Sequence, residues 1–208
     1  MSAFLGPIHI WLYNKIKFQD EIVKDIAKAV LTKEEEIELL SLMDERFGVL
    51  EEGNLADIID QNNIHGWLQD RIKVVENHLA FLVTAVTREH SEKIREISDV
   101  AYKYGKEHAV KNELSVKEVY DYLDNILLNG MPCDRVNDVI NVEENSVTWN
   151  QTVDIHEPYW ESNNGNVEYY YEIRESLIIG TLYNSGMCYQ KIGDWTFQIN
   201  KEKKICMG

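Results

Sequence analysis

His9 and His65 stand at the same place in two matching stretches, "IHIWLYNKIKFQD" at 8–20 and "IHGWLQDRIKVVE" at 64–76. Imidazole suits divalent metals such as Zn, Fe, Mn and Ni. Two imidazoles facing one axis are how a helical bundle builds a cofactor site. Each histidine lies three residues ahead of an apolar stripe. The stripes are Leu12, Ile16, Gln19, Val23, Ile26 and Val30 in the first copy, and Leu68, Ile72, Val75, Leu79, Leu82 and Val86 in the second. Steps of three and four residues are the period of a helix face turned to a core. The spacing predicts that both histidines sit at one end of two parallel helices, on the core-facing side.

Two further stripes extend the expected site. Lys33, Ile37, Leu40, Asp44, Phe47 and Glu51 mark one helix, and His90, Ile94, Ile97, Ala101, Tyr104 and His108 mark another. Running antiparallel to the first pair, these helices bring Glu51 and His108 to the histidine end. The expected layer is His9, Glu51, His65 and His108, three imidazoles and a carboxylate suited to one divalent metal. A metal with an open position would activate water for hydrolysis of a small molecule. Haem between His9 and His65 is the alternative cofactor, non-covalent because the chain has no CxxCH. Asp44 and Gln19 are polar positions deeper on the stripes, where they would support the ligands or mark a polar channel. Gly48 and Gly105 decide the geometry, since a helix ending at either one throws Glu51 or His108 off its stripe.

The competing reading makes the histidines structural, as caps or hydrogen-bonding groups at a helix start. Function then moves to a pocket between the helices and the C-terminal part, which binds a small organic ligand in a non-catalytic sensing or scaffold protein. Trp11 and Trp67 recur with the histidines and read as packing. Cys133 with His156 as base is the candidate for thiol chemistry, against the default of an inert cysteine. Glu168, Glu172, Glu175 and Arg174 share one helix and read as a solvated face. No Walker loop, GxGxxG after a strand, or GxSxG occurs, which argues against common nucleotide-binding and serine-hydrolase sites.

The elements that must position these residues follow from the repeat. "AVLTKE" at 29–34 answers "AVTRE" at 85–89, and "RFG" at 46–48 answers "KYG" at 103–105. What is duplicated is a helical hairpin, and two hairpins predict a four-helix bundle over residues 1–112. The connection "LEEGNLADIIDQNN" at 50–63 has room for a short helix. Ser115 caps a further helix, "VKEVYDYLDNILLN", closed by Gly130. Alternation around "EENS" and around Gly193-Asp194 predicts two β-hairpins, with a helix between them. The expectation is an α+β chain, mainly α, in which residues 113–208 form a helix and a small ββαββ unit packed on the bundle.

Hydrophobic residues make up 44% of the 208-residue chain, enough for a folded core. A net charge of −15 repels nucleic acid and anionic lipid. No apolar run reaches the roughly 20 residues of a membrane helix, and the N-terminal sequence lacks the signal-peptide pattern. Cys133, Cys188 and Cys206 are widely spaced, odd in number and without CxxC, which reads as reduced thiols. These features predict a soluble, cytoplasmic protein whose partner is a small molecule, not nucleic acid or a membrane.

Overall fold

The computed structural model describes residues 5–201. The two repeat copies become helices α1 (Pro7–Val30) and α4 (Ile64–Thr87), each of 24 residues. They lie side by side with their N-termini together, as the contacts His9–His65 and Tyr13–Trp67 require. Every residue of the two predicted stripes is buried, Gln19 included.

Between them run α2 (Lys33–Phe47) and the short α3 (Leu55–Ile58). A capping box starts α2, in which the Glu35 amide donates to Thr32 Oγ1 and the Thr32 amide donates to the Glu35 carboxylate. Gly48 ends it with φ at +92°, a conformation that a side chain resists. His78 of α4 then donates from Nε2 to the Gly48 carbonyl at 3.0 Å, tying this corner to the core. The face that α2 buries differs from the expected stripe. Met43 is its one fully buried residue, Leu39, Leu40 and Phe47 are partly buried, and Ile37 is 60% exposed.

After a short 3-10 turn, α5 (Ile94–Glu107) buries Ile94, Ile97, Ala101 and Tyr104 as its stripe predicts. It runs straight through Gly105. That glycine serves packing and not termination, because α5 crosses α8 (Glu168–Thr181) with the two backbones touching. A Cβ at Gly105 would overlap the Leu177 carbonyl, and one at Gly180 would overlap the Tyr102 carbonyl. The closest partner of α5 is therefore α8, from the C-terminal part, and not α2.

Ser115 and Glu118 form the capping box of α6 (Val116–Ile126). Strands β1 (Asn137–Val142) and β2 (Ser146–Gln151) are followed by α7 (Glu157–Ser162), α8, and strands β3 (Cys188–Lys191) and β4 (Thr196–Asn200). All strand pairs are antiparallel, in the order β1-β2-β4-β3. A bulge at Ile140 breaks the register of β1 between Val139 and Asn141. The fold is α+β and mainly α, as the sequence predicts.

One apolar core runs from Ile22 and Met43 through Ile97 and Ile173 to Val147 and Ile199, joining the helices to the sheet. A second closes the histidine end, where Leu50, Leu55, Ile59, Ile64 and Leu128 pack under Leu12 and Leu68. Cys133 is an exposed free thiol. Cys188 is disulfide-bonded, which corrects the expectation of reduced thiols at that position. Among the described residues no helix is long and apolar enough to cross a membrane.

Candidate ligand site

The structure brings the repeated histidines together. His9 Nε2 lies 3.4 Å from His65 Nε2, at the solvent-facing end of α1 and α4. His9 also caps α1, because its Nδ1 accepts the Gly6 amide at 3.0 Å. A neutral His9 must then carry its proton on Nε2, which makes it the donor to His65. Loss of hydration, and then the charge of His65, hold His9 below the ordinary imidazole value.

Glu51 and His108 do not join this pair. Helices α1 and α4 span about 36 Å, whereas the 15 residues of α2 and the 14 of α5 span only about 22 Å at 1.5 Å per residue. Neither of the shorter helices reaches back to the histidine end. Glu51 follows Gly48 in a loop, where its carboxylate receives the Arg71 guanidinium, Nε at 2.6 Å and Nη2 as the second donor. Its carbonyl accepts from the Tyr13 hydroxyl at 2.7 Å. His108 ends α5 beside Phe18, two and a half turns from His9, and bonds the Tyr104 carbonyl through Nδ1. Asp44 is exposed, and Gln19 is buried with its Nε2 unpartnered. Among the described residues no group of three or more His, Cys, Asp or Glu could hold a metal ion.

A second element of the repeat does more. Trp and a basic residue recur four apart, and in both copies the cation stacks on the indole. Lys15 Nζ lies 3.9 Å from the Trp11 ring centroid, and the Arg71 guanidinium lies 4.4 Å from that of Trp67. The copies then part. Arg71 has Glu51 as its counter-charge, while Lys15, only 2% exposed, has no hydrogen bond and no carboxylate within ion-pair distance among the described residues. Burial pulls its pKa down to about 8. Asp124 pulls the other way, and the smaller effect of the Arg174 charge adds to that of burial.

Lys15 faces one of two adjoining cavities between α1, α6, α8 and the sheet. Its own cavity, of about 670 Å³, includes Trp11, Met131 and Thr152. The other, about 460 Å³, has Trp149, Tyr171, Tyr189 and Phe197 in its walls and Arg174 at its side. Tyr120, Asp124, Asn129 and Asn137 border both. Arg174 donates to two neutral groups, the Tyr170 hydroxyl at 3.0 Å and Asn129 Oδ1 at 2.8 Å, and forms no ion pair among the described residues. Loss of hydration pushes the Tyr120 phenol up to about 12 and raises those of Tyr170, Tyr171 and Tyr189 as well, so all four stay protonated. Six carboxylates, from Asp124, Asp154, Glu157, Glu168, Glu172 and Glu175, line the Arg174 cavity too.

A buried pair braces this wall. His156 Nδ1 meets Glu76 Oε2 at 3.0 Å with both side chains almost fully buried, linking α7 to α4. The His156 ring stacks on Tyr170 at 3.8 Å, and Tyr170 accepts from Arg174. His156 is thus committed to Glu76 and Tyr170, while Cys133 lies exposed. The helix face carrying Glu168, Glu172, Glu175 and Arg174 is the cavity wall, where a solvated surface is the sequence default. Lys15, Asn129 and the aromatic face of the sheet were not among the residues that sequence spacing marked. The one available signal for Lys15 is that it shares a repeat position with Arg71.

No protein-family model matches the chain, and neither the curated proteins nor the solved structures contain a match to it.

Proposed function

We propose that this protein binds a small organic acid in the paired cavities between α1, α6, α8 and the sheet. The observation that carries this reading is Arg174, a guanidinium in a cavity wall held by two neutral acceptors and, among the described residues, paired with no carboxylate. Guanidinium has five N–H donors in a planar fork that matches a carboxylate two bonds at a time. The acidic rim repels polyanions and favours a ligand that presents hydroxyl or ammonium donors away from its anionic group. Trp149, Tyr189 and Phe197 supply flat surface for the rest of the molecule.

Calorimetry with a panel of small hydroxy, oxo and amino acids, each paired with its uncharged amide, tests the reading. Acids should bind more tightly than amides, and Arg174→Met should weaken the acids by about tenfold to a hundredfold. Amides binding as well as acids, or an Arg174→Met protein with unchanged affinity, would remove it.

A second reading keeps the metal at the histidine pair, with His9 and His65 as ligands. Its support is the 3.4 Å separation of the Nε2 atoms, which matches the edge of a tetrahedral site with Zn–N bonds of about 2.0–2.1 Å. Binding there requires His9 to move its proton to Nδ1 and release the Gly6 amide. Elemental analysis with an absorption spectrum reads Zn, Fe, Mn, Ni and haem together. Stoichiometric cofactor lost in both His9→Ala and His65→Ala supports the site, and protein that stays empty after reconstitution removes it.

A further inference from the structure

We propose that Lys15 is an amine nucleophile that condenses with the carbonyl of a small oxo acid whose carboxylate is held by Arg174. The carboxylate half rests on the binding reading above, and the nucleophile half rests on Lys15 alone.

The internal repeat provides the comparison. Trp67–Arg71 and Trp11–Lys15 are the same structural unit, and in one copy Glu51 closes it as an ion pair. The sequence position that answers Glu51 in the other copy is His108, which is turned to Phe18 and the Tyr104 carbonyl. Lys15 is left buried, stacked on Trp11 and open to a cavity, without an acceptor among the described residues for its three donors. A buried ammonium with no partner is costly, and the protein relieves that cost by favouring the free amine. Burial against the Trp11 ring is the main activating influence toward carbonyls, and Arg174 adds to it against the opposing charge of Asp124. The charged groups around it are Asp124 on α6, Arg174 on α8, and Asp134, Arg135 and Asp138 along the cavity edge.

The chemistry balances without an added oxidant or reductant. Lys15 ammonium releases one proton to solvent. The amine lone pair forms a C–N bond to the carbonyl carbon as the π pair moves to oxygen, and one proton passes from the nitrogen to that oxygen. The resulting carbinolamine then loses one water to give the imine. Asn129 borders both cavities and accepts from Arg174, so the guanidinium that holds the carboxylate stands beside the cavity that Lys15 faces.

The test is reductive trapping on the full chain. Protein is incubated at pH 7 with cyanoborohydride and either pyruvate, an oxo acid, or propanal, a carbonyl compound without a carboxylate, and the labelled lysines are mapped by peptide mass. Lys15 should be labelled about tenfold or more faster than exposed lysines, because far more of it is free amine at that pH. Arg174→Met should lose pyruvate labelling at Lys15 and keep propanal labelling. Lys15 reacting no faster than exposed lysines with either probe overturns the nucleophile, and organic-acid binding that still depends on Arg174 would then stand without it. Pyruvate labelling unchanged in Arg174→Met overturns the oxo-acid assignment and the Arg174 reading together. Because the mapping is done on the unaltered chain, the rate at Lys15 is read without relying on a variant that must fold.

Discussion

Lys15 links the stability of the fold to pH. Its folded pKa of about 8 lies below its unfolded value of 10.5, so between the two the unfolded chain binds more protons than the folded one. Stability therefore rises with pH through that window. The burial penalty is fully present below pH 8 and gone above 10.5, and amounts to about 3 kcal/mol in all. Denaturant unfolding of the wild type and of Lys15→Met from pH 7 to 10 checks this. The variant should be the more stable protein at pH 7, and its advantage should shrink as pH rises. An advantage that does not change with pH would refute the linkage. The raised phenols act in the opposite sense above pH 10 but are common to both proteins and cancel in the difference. Much of the histidine end was legible at this scale, because a repeat fixes register, and register put His9 and His65 on one side of parallel helices. Arg174 was not. Three glutamates on the same helix make it look like an exposed charge, and only the sheet folding over that face turns it into a cavity wall.

At the level of elements, the sequence signals read best where they were local. Ser115 with Glu118, Thr32 with Glu35, and the turns at 143–146 and 193–194 each name their own structure through capping or alternation. Helix length was harder, and it mattered more for the expected metal layer. Gly48 and Gly105 look alike in sequence, yet one stops a helix with a positive φ and the other lets two helices touch. What separates them is the partner helix α8, about 70 residues away along the chain, which no local pattern announces. The face chosen by α2 was ambiguous for a related reason. Several of its faces satisfy a helical period, and contact with α4 selects the one carrying Met43. The crossing gives a direct expectation. Gly105→Ala should destabilise the protein by about 2–3 kcal/mol even though alanine is the better helix former, because the new methyl meets a backbone carbonyl that no rotamer change can move. Thermal unfolding of this variant measures it, and an unchanged or raised midpoint would mean that the helices do not cross this closely.

For the molecule as a whole, one core joins the first helices to the last strand, so the repeat and the C-terminal unit should melt together. Far-UV circular dichroism reports mainly the helices, while fluorescence reports the side-chain packing of five tryptophans, Trp11 and Trp67 in the repeat and Trp149, Trp160 and Trp195 in the C-terminal part. The two denaturation curves should coincide, and separated midpoints would show independent units. The cavities lie where these parts meet, so a ligand held there would tighten the same junction and raise the common midpoint. The outer edge of the sheet has its own consequence. Strand β1 exposes Val139, Ile140 and Val142 along one open side, a surface on which another strand would readily add. The extra residue at Ile140 puts that side out of step with any straight neighbour. Removing it would restore an even ladder, so a deletion just beyond the cavity residues Asn137 and Asp138 would favour pairing of this edge with a second chain.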